Sequence, residues 1–252
     1  TITITDAKGC QTTATVTISE PSALSCNANQ DSPVTISGAA DGVASVVPSG
    51  GNGNFAYLWD NGETTATAVA LNAGSHSVTV TDSKGCETSC MVTISEPGVL
   101  FCSVIQNSQV VCNGQANGNA TVTASGGVEP YSYLWDNTET SQTAVALTAG
   151  VHSVTVTDAN GATSSCNVTI SQPAALAASA VQDSPVSCNG QANGAATVTV
   201  SGGNVPYTYA WDKSSSTLAS AADLAAGVHT ITITDAKGCQ TTATVTISEP
   251  SA

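Results

Sequence analysis

A repeat of about 76 residues dominates the sequence, and a period of this length predicts an array of small, similar domains. An Asp-centred turn follows an alternating strand pattern four times at nearly equal intervals, and a closing Ile-Ser-Glu/Gln-Pro segment recurs at the same intervals. The turn aspartates are Asp6, Asp82, Asp158 and Asp235, and the closing prolines are Pro21, Pro97, Pro173 and Pro250.

The closing prolines divide the chain into units, since proline cannot donate to a sheet ladder and tends to lie at strand ends. The predicted domains are repeat 1 (24–97), repeat 2 (98–173) and repeat 3 (174–252), preceded by the C-terminal hairpin of a further repeat (1–23). No long Gly/Ser linker intervenes, so the joints are expected to be tight.

Residues 1–23 are identical to 230–252, so three successive units make up one higher-order period. We therefore interpret the chain as a window of a longer array. On this interpretation the apolar face of the first hairpin is covered either by a missing neighbouring segment or by another subunit of a fibre.

Each repeat has the pattern of an all-β domain. Val78 and Val80 alternate with threonines on one predicted strand, and Tyr57 and Trp59 share one face of another. Short strands, no helical pattern and one tryptophan per unit predict tandem Ig-like β-sandwich domains of about 76 residues each. We place the tryptophans at the core centres, with carbohydrate stacking as the alternative. They are Trp59, Trp135 and Trp211.

Cysteines differ between the copies in a paired way. Repeats 1 and 2 each have one cysteine on the first strand and one on the last, whereas repeat 3 has Ala178 and Ala243 at those two places. Both positions lie on inward faces of strands that are often neighbours in sandwiches, so we expect them to bond. The predicted disulfides are Cys26–Cys90 and Cys102–Cys166.

A second pair of cysteine positions lies in the CNGQANG motif and in the Asp-centred turn. Repeat 3 has both, whereas repeats 1 and 2 each keep one, with Ile36 or Ala162 at the other. We predict one bond within repeat 3 and one across a domain junction, with two free thiols as the alternative to the latter. Cys10 is left without a partner. The predicted bonds are Cys188–Cys239 and Cys86–Cys112.

The charge balance excludes several classes of protein. Four lysines face eighteen acidic residues, and the net charge is -14. This surface offers no basic footprint for nucleic acid or for an anionic membrane. No apolar run approaches the roughly 18 residues of a membrane-spanning helix. Only 9% of residues are charged and nine are cysteines, which is typical of an extracellular or cell-surface protein.

We find no catalytic, cofactor or metal site in the sequence. The three histidines occupy the same place in every repeat, and we interpret them as corner residues that open a strand rather than as catalytic bases. The turn aspartates could bind Ca²⁺ or could cap the hairpin by bonding their own backbone, and we favour capping. Rows of threonine could form ice-binding ladders, but threonine is also the ordinary residue on the solvent face of a strand, and we favour that interpretation. The histidines are His76, His152 and His229.

The order of motifs resembles the SprB repeat of gliding-bacterium surface adhesins. It runs from CNGQANG through SGG-x-x-PY-x-Y-x-W and L-x-AG-x-H-x-VTVTD-x-x-GC to VTI-S-x-P. The match covers 98–252 well, whereas repeat 1 departs at Ile36 and at Asn54-Phe55. Where the family usually has an aromatic residue, this sequence has His76, His152 and His229. The resemblance implies very large secreted or cell-surface proteins that form filaments and act in adhesion, gliding or capture of other cells. It carries no catalytic residues.

These observations predict a non-enzymatic shaft, since near-identical units supply length and stiffness rather than one unique site. The expected partners are neighbouring repeats and other copies in a multi-chain fibre. The alternative is a glycan-binding module of a secreted protein, with surface glycans as partners. A third interpretation is a secreted enzyme that carries these repeats as appendages.

Overall fold

The computed structural model describes residues 1–250, and every regular element in that range is a β-strand. The chain divides into two compact units, Thr1–Val99 and Leu100–Ala252. Among the described residues, no helix is long and apolar enough to cross a membrane.

The first unit has a two-stranded hairpin followed by one six-stranded sandwich. The hairpin strands are β1 (Ile2–Thr5) and β2 (Gln11–Ala14). The sandwich strands are β3 (Ser25–Ser32), β4 (Ala40–Ser49), β5 (Ala56–Trp59), β6 (Thr67–Asn72), β7 (Gly74–Thr81) and β8 (Glu87–Ile94).

The second unit has two six-stranded sandwiches. Those of repeat 2 are β9 (Phe101–Ser108), β10 (Gly118–Ser125), β11 (Ser132–Trp135), β12 (Thr143–Leu147), β13 (Gly150–Thr157) and β14 (Thr163–Ile170). Those of repeat 3 are β15 (Ala177–Ser184), β16 (Ala192–Ser201), β17 (Thr208–Trp211), β18 (Ser220–Ala225), β19 (Gly227–Thr234) and β20 (Gln240–Ile247). The domain limits drawn from the sequence remain a prediction.

We letter the six strands of each sandwich A, B, C, E, F and G in chain order. One antiparallel sheet has the order A-B-E and the other has the order C-F-G. This is the strand arrangement of an immunoglobulin sandwich without strand D. The predicted all-β, tandem Ig-like fold is therefore confirmed.

The alternation of apolar side chains builds the core of each sandwich. On strand F of repeat 1, Val78 and Val80 are fully buried, while Thr79 lies on the other face. Trp59 is only 1% exposed, and its Nε1 donates to the carbonyl of Thr65 at 3.0 Å. Trp135 and Trp211 are 1% and 6% exposed and make the equivalent bond. The indole thus fills the space between the sheets with its polar atom satisfied.

A glycine interrupts strand B where it passes strand G. In repeat 1 the B–E register shifts on either side of Gly42, as expected for a β-bulge. A Cβ at Gly42 would lie 2.6 Å from Cγ2 of Ile94. Gly118 and Gly194 occupy the same place against Ile170 and Ile247. Each of these glycines follows an aspartate or an asparagine, and its missing side chain lets the two sheets approach closely.

The N-terminal hairpin exposes its apolar face. Ile2 and Ile4 are 62% and 57% exposed. In repeat 3 the identical sequence forms strands F and G, where Ile231 and Ile233 are fully buried against the A-B-E sheet. The hairpin thus corresponds to two of the six strands of a sandwich, and what covers it remains a proposal.

Candidate functional site

Two disulfides join the sheets within a sandwich. Cys26–Cys90 and Cys102–Cys166 each connect strand A with strand G, with a Cα–Cα distance of 6.0 Å. In repeat 3 the positions are taken by Ala178 and Ala243, which pack in the core. Strands A and G belong to different sheets, so the bond closes the open edge of the sandwich.

A third disulfide joins two successive repeats. Cys112 of repeat 2 is bonded to Cys239 of repeat 3, with a Cα–Cα distance of 5.7 Å. This corrects the predicted Cys188–Cys239 and Cys86–Cys112 pairings, because Cys86 and Cys188 are exposed free thiols. Cys10 is also free and exposed.

The strand directions explain this correction. In repeat 3 the A–B loop (185–191) lies beside the end of strand G, where Val186 N–H donates to Ser248 O at 3.0 Å. The F–G turn (235–239) lies at the opposite end of the sandwich, beside the B–C loop. Cys188 and Cys239 are therefore a sandwich length apart. The A–B loop of repeat 2 instead meets the F–G turn of repeat 3, where Cys112 bonds to Cys239.

The A–B loop of repeat 2 is held firmly against the exit of its own domain. Val110 N–H donates to Ser171 O at 2.9 Å, and Gly114 N–H donates to Oε1 of Gln172 at 2.9 Å. The Asn113 side chain donates to the carbonyl of Pro173 at 3.0 Å. The loop that carries Cys112 is thus anchored to the closing segment from which repeat 3 starts.

The F–G turn of repeat 3 is organised by one carboxylate. Oδ1 of Asp235 accepts the N–H groups of Lys237 and Cys239 at 2.8 and 2.9 Å. Oδ2 accepts the backbone N–H and the side-chain amide of Asn204 at 2.8 and 3.1 Å. The aspartate therefore holds the turn that carries Cys239 against the B–C loop. This is a capping role, the alternative to Ca²⁺ binding that the sequence favours. Among residues 1–250 no cluster of three His, Cys, Asp or Glu could hold a metal ion.

The same carboxylates have lowered pKa values. The hydrogen bond from the Asn52 side chain, joined by amides of the turn, places the pKa of Asp82 far below its ordinary value. Burial raises the pKa of Asp158 and of Asp235, but amide hydrogen bonds outweigh it and both pKa values lie below the ordinary one. The charged form of each aspartate is therefore part of the folded structure.

The second glycine of each Ser-Gly-Gly segment makes room for this aspartate. Gly51, Gly127 and Gly203 have φ values of +64°, +61° and +62°. A Cβ at Gly127 would lie 2.6 Å from Oδ2 of Asp158. In the sequence, this segment is visible only as part of the repeat motif and has no evident role of its own. The segment recurs at a nearly constant distance before the turn aspartate of every complete repeat. This recurrence is the signal that could have revealed its role.

Asn204 also reaches across the junction between repeats 2 and 3. Its side-chain amide donates to the carbonyl of Val111 at 3.2 Å, next to Cys112. The segment between the repeats is tied down as well, because Gly203 N–H donates to Ala174 O at 2.9 Å. A disulfide, a side-chain hydrogen bond and a backbone hydrogen bond thus lie at one junction. Together they restrict the movement of repeat 3 relative to repeat 2.

The histidines tie the corner between strands E and F. Nδ1 of His76 lies 3.0 Å from Oδ1 of Asp60, and Nε2 lies 2.9 Å from Asn72 O. His152 makes the same two contacts with Asp136 and Thr148. Both ring nitrogens of His76 and His152 are thus engaged within the domain. His229 bonds only through Nε2, to Ala225 O at 2.8 Å.

The aromatic side chains of strand C do not form an open platform. The three tryptophans are buried, and the hydroxyls of Tyr131 and Tyr207 donate to the carbonyls of Gly126 and Gly202 at 2.6 and 2.5 Å. Both tyrosines are half-buried. The indoles are therefore closed to a sugar, and each of these tyrosines offers only part of its surface.

A model of the SprB repeat matches the chain at residues 29–64, 105–140 and 180–216. Each match runs from strand A through the A–B loop and past the tryptophan of strand C into the turn that follows. No curated protein sequence matches the chain.

Solved structures resemble the chain at low sequence identity. The three N-terminal domains of the highly immunogenic outer capsid protein of bacteriophage RB49 are 14% identical, over 90% of this chain and 99% of that one, with a TM-score of 0.43. A tetra-tandem repeat from the extending region of a large adhesion protein is 15% identical, over 89% and 74%, with a TM-score of 0.26. Domains 1–6 of the surface layer protein SbsC are 15% identical, over 98% and 44%, with a TM-score of 0.29.

Proposed function

The chain contains three SprB repeats, and from that premise we propose that it is a structural segment of a large extracellular filament or adhesin at the bacterial surface. Its role is that of a stiff, disulfide-braced shaft. The shaft serves adhesion, gliding or capture of other cells.

The junction bond Cys112–Cys239 is the observation that carries this proposal. A disulfide between successive domains does not build a ligand site, but it limits how far the two domains can bend or separate. Its 127-residue sequence separation encloses most of repeats 2 and 3. Tension applied along the chain therefore passes through the sulfur–sulfur bond and not through the strands that lie between Cys112 and Cys239 in the sequence.

The distribution of side chains also supports a structural role. The histidines and turn aspartates recur in each repeat and bond within the domain. The tryptophans lie in the cores. Such repetition suits a spacer, in which every unit has the same task, and we propose that the chain is not an enzyme.

The chemistry of the chain favours the outside of the cell. Disulfides persist in oxidising compartments, and this chain has three. The net charge of -14 favours a solvated surface that resists aggregation.

Immunogold electron microscopy of intact source cells tests the proposal. An antibody raised against residues 1–250 should label thin filaments that project from the surface, and cells without the array should adhere or glide less. Label confined to the cell interior would contradict the proposal.

A polysaccharide array separates the shaft from the glycan-binding alternative. The purified chain should show no micromolar binding, because the aromatic faces are buried or half-buried. Binding that is abolished by Tyr131→Ala and Tyr207→Ala would favour the glycan-binding interpretation instead. The tyrosine rings pack against the cores, so circular dichroism must first show that both variants are folded.

A further inference from the structure

The three free thiols occupy the positions that form the junction disulfide elsewhere in the chain. Cys188 aligns with Cys112 in the A–B loop, whereas Cys86 and Cys10 align with Cys239 in the F–G turn. All three free thiols are exposed. Each free thiol therefore occupies one of the two positions that are bonded to each other between repeats 2 and 3.

The F–G turn of repeat 1 is built like the turn that carries Cys239. Oδ1 of Asp82 accepts the N–H groups of Lys84 and Cys86 at 2.9 and 3.0 Å. Oδ2 accepts the backbone and side-chain N–H groups of Asn52 at 2.9 and 2.7 Å. Cys86 is thus presented in the same frame as the bonded cysteine.

The A–B loop of repeat 3 is likewise built like the loop that carries Cys112. Gln191 N–H donates to Cys188 O at 3.1 Å, as Gln115 N–H donates to Cys112 O at 3.0 Å. Gly190 N–H donates to Oε2 of Glu249 at 3.2 Å, which matches the bond from Gly114 to Gln172. Cys188 is thus held at the exit of its domain and faces the position of a following repeat.

The sequence shows that the two positions change together across junctions. Where repeat 1 precedes repeat 2, the A–B position is Ile36 and the F–G position is Ala162, so neither half is present. The asparagine follows the same rule. Asn52 and Asn204 accompany the turn cysteines, whereas repeat 2 has Val128 with its alanine. Because Asn204 donates across the junction to Val111 O, its counterpart Asn52 marks repeat 1 as a receiver of an A–B loop.

The order of units identifies the partner. Residues 1–23, identical to the end of repeat 3, run directly into repeat 1. We infer that Cys188 bonds to the Cys86 position of a repeat-1 unit that follows it in the same polypeptide, by the junction geometry of Cys112–Cys239. Two of the three junctions in each three-repeat period are then covalently locked. The inference concerns the bond between repeats and does not depend on the proposed role of the shaft.

Formation of the bond is a thiol–disulfide exchange with a small disulfide oxidant such as oxidised glutathione. The Cys86 thiolate attacks one sulfur of the oxidant and releases one glutathione thiolate. The Cys188 thiolate then attacks the Cys86 sulfur of the mixed disulfide and releases the second. Two protein thiols are oxidised, the oxidant is reduced to two thiols, and the two protons pass to the glutathione thiolates.

An extended protein tests this inference. A second copy of residues 24–97 follows residue 252 of the full chain, which reproduces the natural order in which residues 1–23 run into residue 24. The protein is refolded with a glutathione redox pair, alkylated and mapped without reduction. We expect Cys188 to be linked to Cys86 of the appended copy. Free thiols should then be Cys10 and the first Cys86, which is one fewer than the three of the unextended chain.

A natural sequence supplies the matched control. When residues 98–173 follow Pro250 instead, as Gly98 follows Pro97 in the chain, Ala162 replaces the receiving cysteine and Cys188 should be alkylated. In both proteins Cys112–Cys239 reports correct folding of the preceding junction. The inference is wrong if Cys188 is alkylated in the first protein while Cys112–Cys239 is intact.

The native array gives a second readout that needs no refolding. Filaments sheared from cells are alkylated at once and digested without reduction. A crosslinked peptide pair that contains Cys188 and Cys86 supports the inference, whereas alkylated Cys188 overturns it.

Discussion

The aspartate of each F–G turn shows how one side chain can fix two segments of a small domain. Its two oxygens accept hydrogen bonds from the turn and from the B–C loop, and its pKa is lowered as a result. A carboxyl whose pKa is lower in the folded state than in the unfolded state stabilises the fold above the unfolded value of about 3.9. That contribution is lost as the pH falls through the folded value.

Acid should therefore destabilise the array through these residues. We expect the thermal midpoint to be steady from pH 7 to about pH 4 and to fall below it. The triple variant Asp82→Asn, Asp158→Asn, Asp235→Asn should be less stable at pH 7 and should show a flatter fall in acid. Circular dichroism melts from pH 7 to pH 2 measure both. An acid dependence equal to that of a variant at the exposed Glu129 (Glu129→Gln) would contradict this role.

The tryptophan of strand C makes the largest single contribution to each core. Trp135→Ala should lower the free energy of unfolding of repeat 2 by about 3–5 kcal/mol, because it leaves a large cavity. Phe101 is 62% exposed on strand A of the same sandwich, and Phe101→Ala should change stability by less than about 0.5 kcal/mol. Urea unfolding of the two variants checks the contrast. Equal effects would mean that Trp135 is not the centre of the core.

At the scale of elements, alternation alone located the strands and their buried faces. Val78, Val80 and Trp59 could be assigned to the core from sequence because side-chain direction in a strand has a period of two. The end-to-end placement of loops could not be assigned in this way. It depends on strand G running alongside strand A, as the bonds between Gln30 and Ser95 show. The two strands were predicted to be neighbours, but no local pattern encodes their relative direction, and the cysteine pairing at the loops was therefore wrong.

The Ser-Gly-Gly element offers a test with a built-in control. Gly127→Ala forces an L-residue to adopt a φ of +61° and places its Cβ 2.6 Å from Asp158. Gly161→Ala has a φ of +86° but meets nothing within 4 Å. The second variant should lose about 1–2 kcal/mol from backbone strain alone, and the first should lose more.

Chemical denaturation of both glycine variants measures the difference. The crystal structure of Gly127→Ala should show Asp158 displaced from the amide of Val128, a bond that is 2.9 Å long in the parent. Equal losses for the two variants would show that the close approach to Asp158 does not matter.

At the scale of the whole molecule, the disulfides determine which parts of the chain can be stretched. Cys26–Cys90 closes a loop of 64 residues, and Cys112–Cys239 closes one of 127 residues. A pulling force that enters at Cys102 reaches Cys112 and crosses to Cys239 without loading the strands between them. Length is therefore preserved even where a sandwich opens, which is the property that a surface shaft requires.

Single-molecule force spectroscopy tests this covalent path most directly. The chain is held at both ends with its free thiols alkylated, and its fully extended length is measured before and after reduction. At about 3.3–3.6 Å per residue, reduction should add about 630–690 Å, because the loops closed by Cys26–Cys90 and Cys112–Cys239 are both released. A gain of only about 420–460 Å is what Cys26–Cys90 and Cys102–Cys166 alone would give, and it would contradict a covalently locked junction.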